Sequence, residues 1–401
     1  MRNYKIDILR GVSILLVLIH HFNIPYKLHD TFLGISIGGE SLSTLIARNG
    51  NYGVTMFFVI SGFLITQHTL QRSGSLAQIK LKDFYIRRLA RIMPCLVLLV
   101  TMVSVLGSLG LQPFINQSPN GVEVSYAVTV LSALSFWMNL LIIEYGWVNY
   151  ALGVLWSLSV EEVFYLAFPV LCLALGRGKG FIIFLLVVIA YAPYFRALHF
   201  GEGSGAYLYH YFSSFDGIAI GCLTAIYAQH FKGVIYNQKM IVAVTAFLMT
   251  ALYFYAPIKE VSSWGISVFA LLTALLILCF TQDLKVKPIS YTARSLVWIG
   301  QRSYEMYLFH LIVLGLMKVV YFPKETVAVE KLMLLPVYII GCVVALMAVC
   351  FYEYRDYKRN SNYTYNLCDL LMELTLVITS WIGVVAVIVF VSPGIVMFRK
   401  K

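Results

Sequence analysis

Charged residues are scarce in this chain. Asp, Glu, Lys and Arg make up 12% of its 401 residues, whereas hydrophobic residues make up 60%. Soluble globular domains carry about 25% charged and about 45–50% apolar residues. The deficit of charge therefore excludes an ordinary soluble domain. An aromatic content of 15% excludes a disordered chain, because disordered segments are poor in aromatic residues. A polytopic helical membrane protein remains.

Paired cysteines are also missing. The seven cysteines lie singly, mostly inside apolar runs, and the sequence contains no Cys-x-x-Cys motif and no Cys/His cluster. Neither a disulfide framework nor a zinc site is indicated, so we expect no metal. No repeat of fixed period and no long Gly/Ser-rich or Pro-rich linker divides the chain, which favours one integrated membrane domain.

Acidic residues are outnumbered by basic ones. The chain has 19 Asp and Glu against 30 Lys and Arg, a formal net charge of +11. Such an excess is typical of nucleic-acid-binding proteins, but membrane proteins carry the same excess in their cytoplasmic loops. Because the chain is so apolar, we assign the charge to loops and expect no nucleic-acid partner.

Eleven apolar stretches are candidates to cross the lipid bilayer as helices, which takes about 20 residues. The first is interpreted as a retained helix and not a cleaved signal peptide, because it contains Asp7 and Arg10 and no A-x-A cleavage site follows. The stretches are Ile8–Pro25, Val54–Leu70, Ile92–Leu111, Ala151–Leu175, Phe181–Phe195, Phe212–Ala228, Met240–Ala256, Trp264–Phe280, Leu296–Val320, Leu332–Tyr352 and Leu370–Val391.

A twelfth apolar stretch, Val124–Ile143, is ambiguous, and loop charge decides its status. With a cytoplasmic N-terminus and this stretch non-spanning, most basic loop residues lie inside, and few, Arg196 among them, lie outside. If this stretch crossed the membrane, every later loop would lie on the opposite side, and the basic loops would lie outside the cytoplasm. The positive-inside rule therefore predicts an interfacial or re-entrant segment. An odd number of spans then places the C-terminus outside the cytoplasm.

Four ionisable side chains lie at membrane depth, where charge is costly and usually functional: His21, Glu161, Asp216 and His310. Arg10 and His21 are eleven residues apart, which is three helical turns, so they share one helix face. His20 points about 100° away from that face and is interpreted as structural.

Three further patterns involve helical spacing. Ser157, Glu161 and Tyr165 follow one another at intervals of four and predict a polar stripe on one helix.

Arg88 and Arg91 are three apart at a predicted helix start, so we expect them to present together. Paired guanidinium groups suit phosphate, although a basic cytoplasmic loop is also typical of topology signals and lipid contact. Gly217-x-x-x-Gly221 indicates a close helix crossing.

Five motifs resemble those of the membrane acyltransferase-3 family and occur in the family's order over residues 1–355. They are Asp7-Ile-Leu-Arg-Gly-Val with His21, Met56-Phe-Phe-Val-Ile-Ser-Gly-Phe-Leu-Ile, Phe84-Tyr-Ile-Arg-Arg-Leu-Ala-Arg-Ile-Met-Pro, Leu155-Trp-Ser-Leu-Ser-Val-Glu-Glu-Val-Phe-Tyr and Ser303-Tyr-Glu-Met-Tyr-Leu-Phe-His.

The resemblance implies an all-α polytopic membrane protein. We expect a ten-helix acyltransferase-3 bundle over residues 1–355, followed over residues 356–401 by a cytoplasmic connector and an additional C-terminal transmembrane helix, Leu370–Val391. Family members with such an extra helix commonly carry an extracytoplasmic SGNH-type domain behind it, so the expectation is either a longer form of the chain that carries such a domain or a chain that ends with this helix.

The resemblance also implies an activity. Members of the family are integral membrane enzymes of the bacterial inner (plasma) membrane that move an acyl group, usually acetyl, from cytoplasmic acyl-CoA to an extracytoplasmic acceptor, often a glycan. We expect acetyl-CoA as donor, no metal, and O-antigen or another surface polysaccharide as acceptor. The alternative is a membrane transporter or permease that uses buried ionisable residues as substrate or proton sites; consumption of acetyl-CoA would discriminate between the two.

The site residues implied by the resemblance fall into three groups. His21, Glu161 and Arg10 are expected to be catalytic, with His21 as general base or covalent acyl carrier. Arg88 and Arg91 are expected to bind the donor. Expected substrate-binding residues are Asp216, His310, Ser157 and Tyr165. Where the family often has Arg-Phe-Asp, this chain has Ser214-Phe215-Asp216, so Asp216 lacks the family's neighbouring arginine.

Overall fold

A computed structural model describes residues 3–228, 237–282, 291–323 and 326–359 of the chain. Its α-helices, in chain order, are α1 Tyr4–Asn23, α2 Leu42–Ala47, α3 Asn51–Ser73, α4 Leu81–Ser108, α5 Tyr126–Leu134, α6 Met138–Tyr145, α7 Trp156–Leu175, α8 Gly180–Leu198, α9 Ala206–Tyr209, α10 Tyr211–Tyr227, α11 Gln238–Tyr255, α12 Ser262–Gln282, α13 Tyr291–Gln301, α14 Ser303–Val320 and α15 Ala328–Arg359.

Short elements fill some of the connections between these helices. The 3₁₀ helices are Leu28–Asp30, Phe32–Gly34, Leu76–Gln78, Gln112–Phe114 and Gly153–Leu155. One antiparallel hairpin pairs β1 (Ser36–Ile37) with β2 (Glu40–Ser41). Its turn residues Gly38 and Gly39 have φ angles of 63° and 91°, a left-handed conformation that glycine adopts without steric cost.

The prediction of an all-α polytopic membrane protein is confirmed. Within the described ranges, eight helical segments are long and apolar enough to cross a membrane. Helices α10 and α15 cover two more of the predicted spans. The eleventh predicted span, Leu370–Val391, and the predicted C-terminal orientation lie outside the described residues.

The stretch Val124–Ile143 does not form a spanning helix, as the loop charges predict. It folds into α5 and α6, of 9 and 8 residues. At 1.5 Å per residue these helices are about 12–14 Å long, less than half of the ~30 Å hydrocarbon core. The chain between them includes Phe136 at a positive φ of 62°, which ends any continuous helix.

A span is confirmed within Leu296–Val320, but its predicted start is wrong, because the spanning helix is Ser303–Val320. The chain forms α13 and α14 instead, separated by Arg302, whose φ of −114° and ψ of 17° are not helical. The Arg302 guanidinium lies 4.5 Å from the centre of the Trp298 ring. The run Gly300-Gln301-Arg302-Ser303 is too polar to continue an apolar helix, and its last residue becomes the first residue of α14.

The placement of Arg196 in an outer loop is also wrong. Arg196 lies inside α8 and its side chain is 0% exposed. Sequence reasoning ended the span at Phe195, one residue too early, because a charged residue normally marks the end of an apolar segment.

Helix α3 packs at close range against α10, as the Gly217-x-x-x-Gly221 motif predicts. A Cβ atom at Gly221 would overlap the carbonyl oxygen of Val59, and one at Gly62 would overlap that of Ile218. Small residues thus let the two backbones approach closely. This crossing fixes one side of α3, and the opposite side is available to line the cavity described next.

Candidate active site

A cavity of about 790 Å³ runs from one end of the bundle into its interior. Helices α3, α4, α7 and α14 form its walls, and Arg10 from α1 also lines it. Along α3 the lining extends from Ser73 to Val54, which is about 28 Å at 1.5 Å per residue. Ligand sites typically enclose about 300–1,000 Å³, so the cavity is large enough for a cofactor.

Four exposed cations line the open end, which we call the basic mouth: Arg72, Lys80, Arg87 and Arg91. Arg87 and Arg91 are four residues apart on α4 and therefore neighbours on one helix face. Guanidinium and ammonium groups in this arrangement favour a polyanion such as a phosphate-rich ligand.

Arg88 and Arg91 both line the cavity, so they present to the same space as expected. Arg88, however, has different surroundings from Arg91. Its Nε donates to Glu162 Oε1 at 3.0 Å and its Nη2 to Glu161 Oε1 at 2.9 Å. Its guanidinium also lies 3.9 Å from the centre of the Tyr165 ring. Arg88 is therefore held inside the bundle by two carboxylates, whereas Arg91 stays exposed at the mouth.

The predicted stripe of Ser157, Glu161 and Tyr165 lies on the cavity wall. Ser61 on α3 joins two of its members, because its hydroxyl donates to Glu161 and hydrogen-bonds Tyr165. Ser157 donates to the Tyr307 hydroxyl on α14 at 2.6 Å. Sequence reasoning did not single out Ser61, since a serine in an apolar span carries no distinct signal.

The inner end of the cavity is closed and mainly apolar. We call it the end wall, and its members are Val54, Phe57, Phe58, Leu158, Tyr307 and Leu308. The Phe57 and Tyr307 rings meet nearly at right angles, 6.3 Å between centres. The Tyr307 hydroxyl donates to the carbonyl of Val154 at 3.1 Å and accepts from Ser157, so the ring is fixed at its polar tip.

His21 and His310 form a pair just beyond the end wall. Their ring centres are 4.8 Å apart, and that of His310 is 5.7 Å from the ring centre of Tyr307. Neither histidine is among the residues that line the cavity. His310 is 0% exposed, and its Nε2 has no hydrogen-bond partner within the described part of the chain.

Backbone carbonyls fix the tautomers of both rings. Nδ1 of His21 lies 2.9 Å from the Val17 carbonyl oxygen, and Nδ1 of His310 lies 2.7 Å from that of Tyr307. Because a carbonyl oxygen only accepts hydrogen bonds, we assign the proton of each neutral ring to Nδ1. Each Nε2 then carries the lone pair, as a general base or nucleophile requires.

The shared face of Arg10 and His21 is directed at α14. Arg10 Nε donates to Ser303 Oγ at 3.1 Å, and His21 packs against His310, seven residues further along α14. Helices α1 and α14 therefore run in the same direction at this contact. His20 faces α2 instead, with Nδ1 2.7 Å from the Ala47 carbonyl oxygen, which agrees with a structural role.

Comparison with known proteins places the chain in a family. The acyltransferase domain model of the acyltransferase-3 family matches residues 3–354. This chain belongs to the acyltransferase-3 family. No solved structure matches it significantly.

Three curated relatives of the acyltransferase-3 chain carry names of O-acetyltransferases. A Staphylococcus aureus (strain COL) protein provisionally named an O-acetyltransferase is 27% identical over 338 residues, covering 77% of this chain and 50% of the relative. The peptidoglycan O-acetyltransferase OatA of Listeria monocytogenes is 24% identical, covering 76% and 48%. YrhL of Bacillus subtilis, provisionally named a peptidoglycan O-acetyltransferase, is 26% identical, covering 76% and 47%. The chain thus spans about half the length of these relatives.

Asp216 of the acyltransferase-3 chain lies away from the large cavity. Its Oδ2 accepts from Arg196 Nη2 at 3.0 Å and from Ser267 Oγ at 2.6 Å, and both charged side chains are 0% exposed. Arg196 on α8 thus supplies the cation that Ser214 does not. Asp216 borders a separate cavity of about 20 Å³, room for one water molecule. The structure does not bring it together with the other predicted site residues.

Among the described residues, no group of three or more His, Cys, Asp and Glu side chains could hold a metal ion.

Proposed function

We propose that the chain is an integral membrane O-acyltransferase that moves an acetyl group from acetyl-CoA to a hydroxyl of an extracytoplasmic glycan. One observation carries the proposal: a cavity leads from four exposed cations to Tyr307, behind which lie two histidines whose Nδ1 atoms meet backbone carbonyl oxygens. The basic mouth would then face the cytoplasm of a bacterial cell, and the histidine pair would lie toward the outer half of the inner membrane.

The phosphates of acetyl-CoA are assigned to the basic mouth. Charge-assisted hydrogen bonds contribute about 1.5–3 kcal/mol each. The extended arm between the pyrophosphate and the sulfur has thirteen bonds, on the order of 15 Å. Arg72 and Ser61 are eleven residues apart on α3, about 17 Å. The arm therefore brings the thioester to the level of Ser61 and Glu161.

The carboxylate pair is assigned to positioning of the donor arm. Glu161 lines the cavity where the arm would pass, and a carboxylate accepts hydrogen bonds from amide N–H groups such as those of the arm. Arg88 and Ser61 hold that carboxylate in place. In this account Arg91 binds the donor directly, whereas Arg88 acts through Glu161.

The histidine pair is assigned to the transfer step. A sugar hydroxyl is a weak nucleophile, so Nε2 of His21 takes its proton while the oxygen attacks the thioester carbonyl carbon. The new C–O bond forms, the C–S bond breaks, and the departing thiolate takes the proton from His21. Nε2 of His310 accepts a hydrogen bond from the glycan. General-base catalysis of this kind contributes about 10²–10⁴ in rate. Because Tyr307 separates the cavity from His310, its ring has to move aside during transfer.

The acceptor is proposed to be a cell-envelope glycan. The printed names of the Listeria monocytogenes and Bacillus subtilis relatives support peptidoglycan as the polymer to test first, and O-antigen or another surface polysaccharide is the second. The chain covers only about half of those relatives, so the acceptor is tested directly.

The experiment uses the purified full chain in lipid nanodiscs with labelled acetyl-CoA. We expect saturable acetyl-CoA binding, release of CoA thiol that requires a glycan, and label on the glycan. Peptidoglycan fragments and O-antigen are offered in parallel. Absence of both binding and thiol release, together with glycan movement across chain-containing vesicles, would refute the proposal and support a transporter.

A further inference from the structure

The end wall of the cavity has a composition unlike that of the mouth. It consists of three aromatic and three aliphatic side chains, and five of them are at most 9% exposed. Phe57 is the sixth and is partly exposed. The wall therefore closes the cavity with bulky side chains at the place that the acyl group of a bound donor would reach.

The wall is held in position by specific contacts. Tyr307 is anchored through its hydroxyl to Ser157 and to the Val154 carbonyl, and its ring meets Phe57. Phe58 packs edge-on against Trp156, with 6.4 Å between ring centres. While the donor binds, before Tyr307 moves aside for transfer, a wall anchored in this way yields little to a longer ligand, because packed side chains resist displacement.

The space between the expected thioester position and the paired rings of Phe57 and Tyr307 is short. Ser61 and Phe57 are four residues apart on α3, about 6 Å along the helix axis. Each bond of an extended chain advances about 1.2 Å. A two-carbon acyl group uses less than half of that length, a four-carbon group nearly fills it, and an eight-carbon group exceeds it.

We infer that Phe57 and Tyr307 act as a length gauge that restricts the donor to acyl groups of about two to four carbons. The inference rests on the proposed function, because it assumes an acyl-CoA whose phosphates occupy the basic mouth. It goes beyond that function by assigning donor specificity to named residues of the end wall.

The test measures binding of acetyl-, butyryl- and octanoyl-CoA to the purified full chain, with free CoA as reference. Wild-type chain should bind acetyl-CoA at least as tightly as CoA and octanoyl-CoA at least ten-fold more weakly than acetyl-CoA. Phe57→Ala should bring the octanoyl-CoA affinity to within about three-fold of acetyl-CoA. The butyryl-CoA affinity relative to acetyl-CoA should change little, since a four-carbon group already fits in front of Phe57.

Phe84→Ala is the matched control. Phe84 lines the same cavity at the opposite end, near the basic mouth, so the same truncation there should leave the ratio of octanoyl- to acetyl-CoA affinity unchanged. Phe57→Leu is the milder second variant if the alanine variant does not fold, and it should shift the ratio in the same direction by about three-fold.

The outcomes separate the two proposals. If acetyl-CoA binds but wild-type chain accepts octanoyl-CoA equally well, or if Phe84→Ala shifts the ratio as much as Phe57→Ala does, the length gauge is wrong. If neither CoA nor any acyl-CoA binds to folded wild-type chain, the proposed donor site itself is wrong.

Discussion

Two arginines, Arg88 and Arg196, are held by carboxylates inside this bundle, in opposite settings. Arg196 and Asp216 are both 0% exposed, and their partners come from α8, α10 and α12. Arg88 is 19% exposed and Glu161 is 21% exposed, on the wall of a cavity of about 790 Å³. Similar ion pairs therefore occur once in a sealed core and once beside an open space.

The difference in exposure indicates which ion pair has a structural role and which one a ligand can reach. A sealed ion pair meets no ligand, and removing one partner leaves an uncompensated buried charge. A carboxylate on a cavity wall can exchange contacts with whatever enters. Two carboxylates also share Arg88, whereas Arg196 meets one. The Arg88 cluster thus carries a surplus acceptor on the cavity side, and the Arg196 cluster does not.

The largest effect is expected from Arg196→Ala. The change leaves Asp216 buried without its cation and should lower the free energy of unfolding by about 3–5 kcal/mol, which is enough to prevent accumulation of folded protein. Thermal unfolding in detergent and membrane yield measure it. The double variant Arg196→Met with Asp216→Leu should recover most of the loss. An unfolding midpoint of wild-type value for Arg196→Ala would show that the sealed pair is dispensable.

The next effect is expected from Glu161→Gln. Loss of a charged acceptor costs about 1.5–3 kcal/mol, so acetyl-CoA should bind about ten- to a hundred-fold more weakly while the protein stays folded. Glu162→Gln is the matched control, because Glu162 meets the same arginine but does not line the cavity. The main effect of Glu162→Gln should be on the unfolding midpoint, and its effect on the affinity for acetyl-CoA should be smaller than that of Glu161→Gln. Equal effects of both variants on affinity would remove the distinction between the two carboxylates.

A smaller effect is expected from Arg91→Ala at the exposed mouth. Donor affinity should fall by about five- to ten-fold, and added salt should reduce the difference because exposed charges are screened. Lys82→Ala on the same helix is the control, since Lys82 is exposed but does not line the cavity. Arg91→Lys should recover part of the affinity. An unchanged affinity in Arg91→Ala would leave the mouth as a topology signal only.

The smallest effect is expected from Asp30→Asn, because the ion pair of Asp30 lies neither in the sealed core nor on the cavity wall. Lys331 Nζ lies 2.6 Å from Asp30 Oδ2, and the Asp30 side chain is 39% exposed. The hydrogen bond from Lys331 lowers the pKa of Asp30. The stabilisation is therefore fully present above the unfolded-state value near 3.9 and is lost as the pH falls through the lower folded value. Asp30→Asn should shift the unfolding midpoint at neutral pH only slightly; a shift as large as that of Arg196→Ala would contradict the ranking.

Helical register explains which parts of the site could be predicted. The contact of Arg10 and His21 with one neighbouring helix follows from eleven residues on an unbroken α1. The alignment of Ser157, Glu161 and Tyr165 follows in the same way from α7. Within one straight helix, residue spacing fixes direction, so these predictions needed no knowledge of packing.

Packing between helices explains what could not be predicted. Arg88 and Arg91 lie about 60° apart around α4, which is enough to direct one into the bundle and leave the other exposed. The partnership of Arg196 with Asp216 joins α8 to α10 across a turn, and no periodicity reveals it. The break at Arg302 lies in the short polar run from Gly300 to Ser303, and the hydropathy of the longer apolar stretch did not reveal it.

The central claim is that donor binding and acyl transfer occupy opposite ends of one path, with His21 at the transfer end. The direct measurement compares His21→Ala with His20→Ala for acetyl-CoA binding in nanodiscs and for glycan acetylation in cells. We expect His21→Ala to bind acetyl-CoA normally and to lose acetylation by at least about 10²-fold, while His20→Ala keeps most of both. Near wild-type acetylation by the His21→Ala protein would contradict the claim.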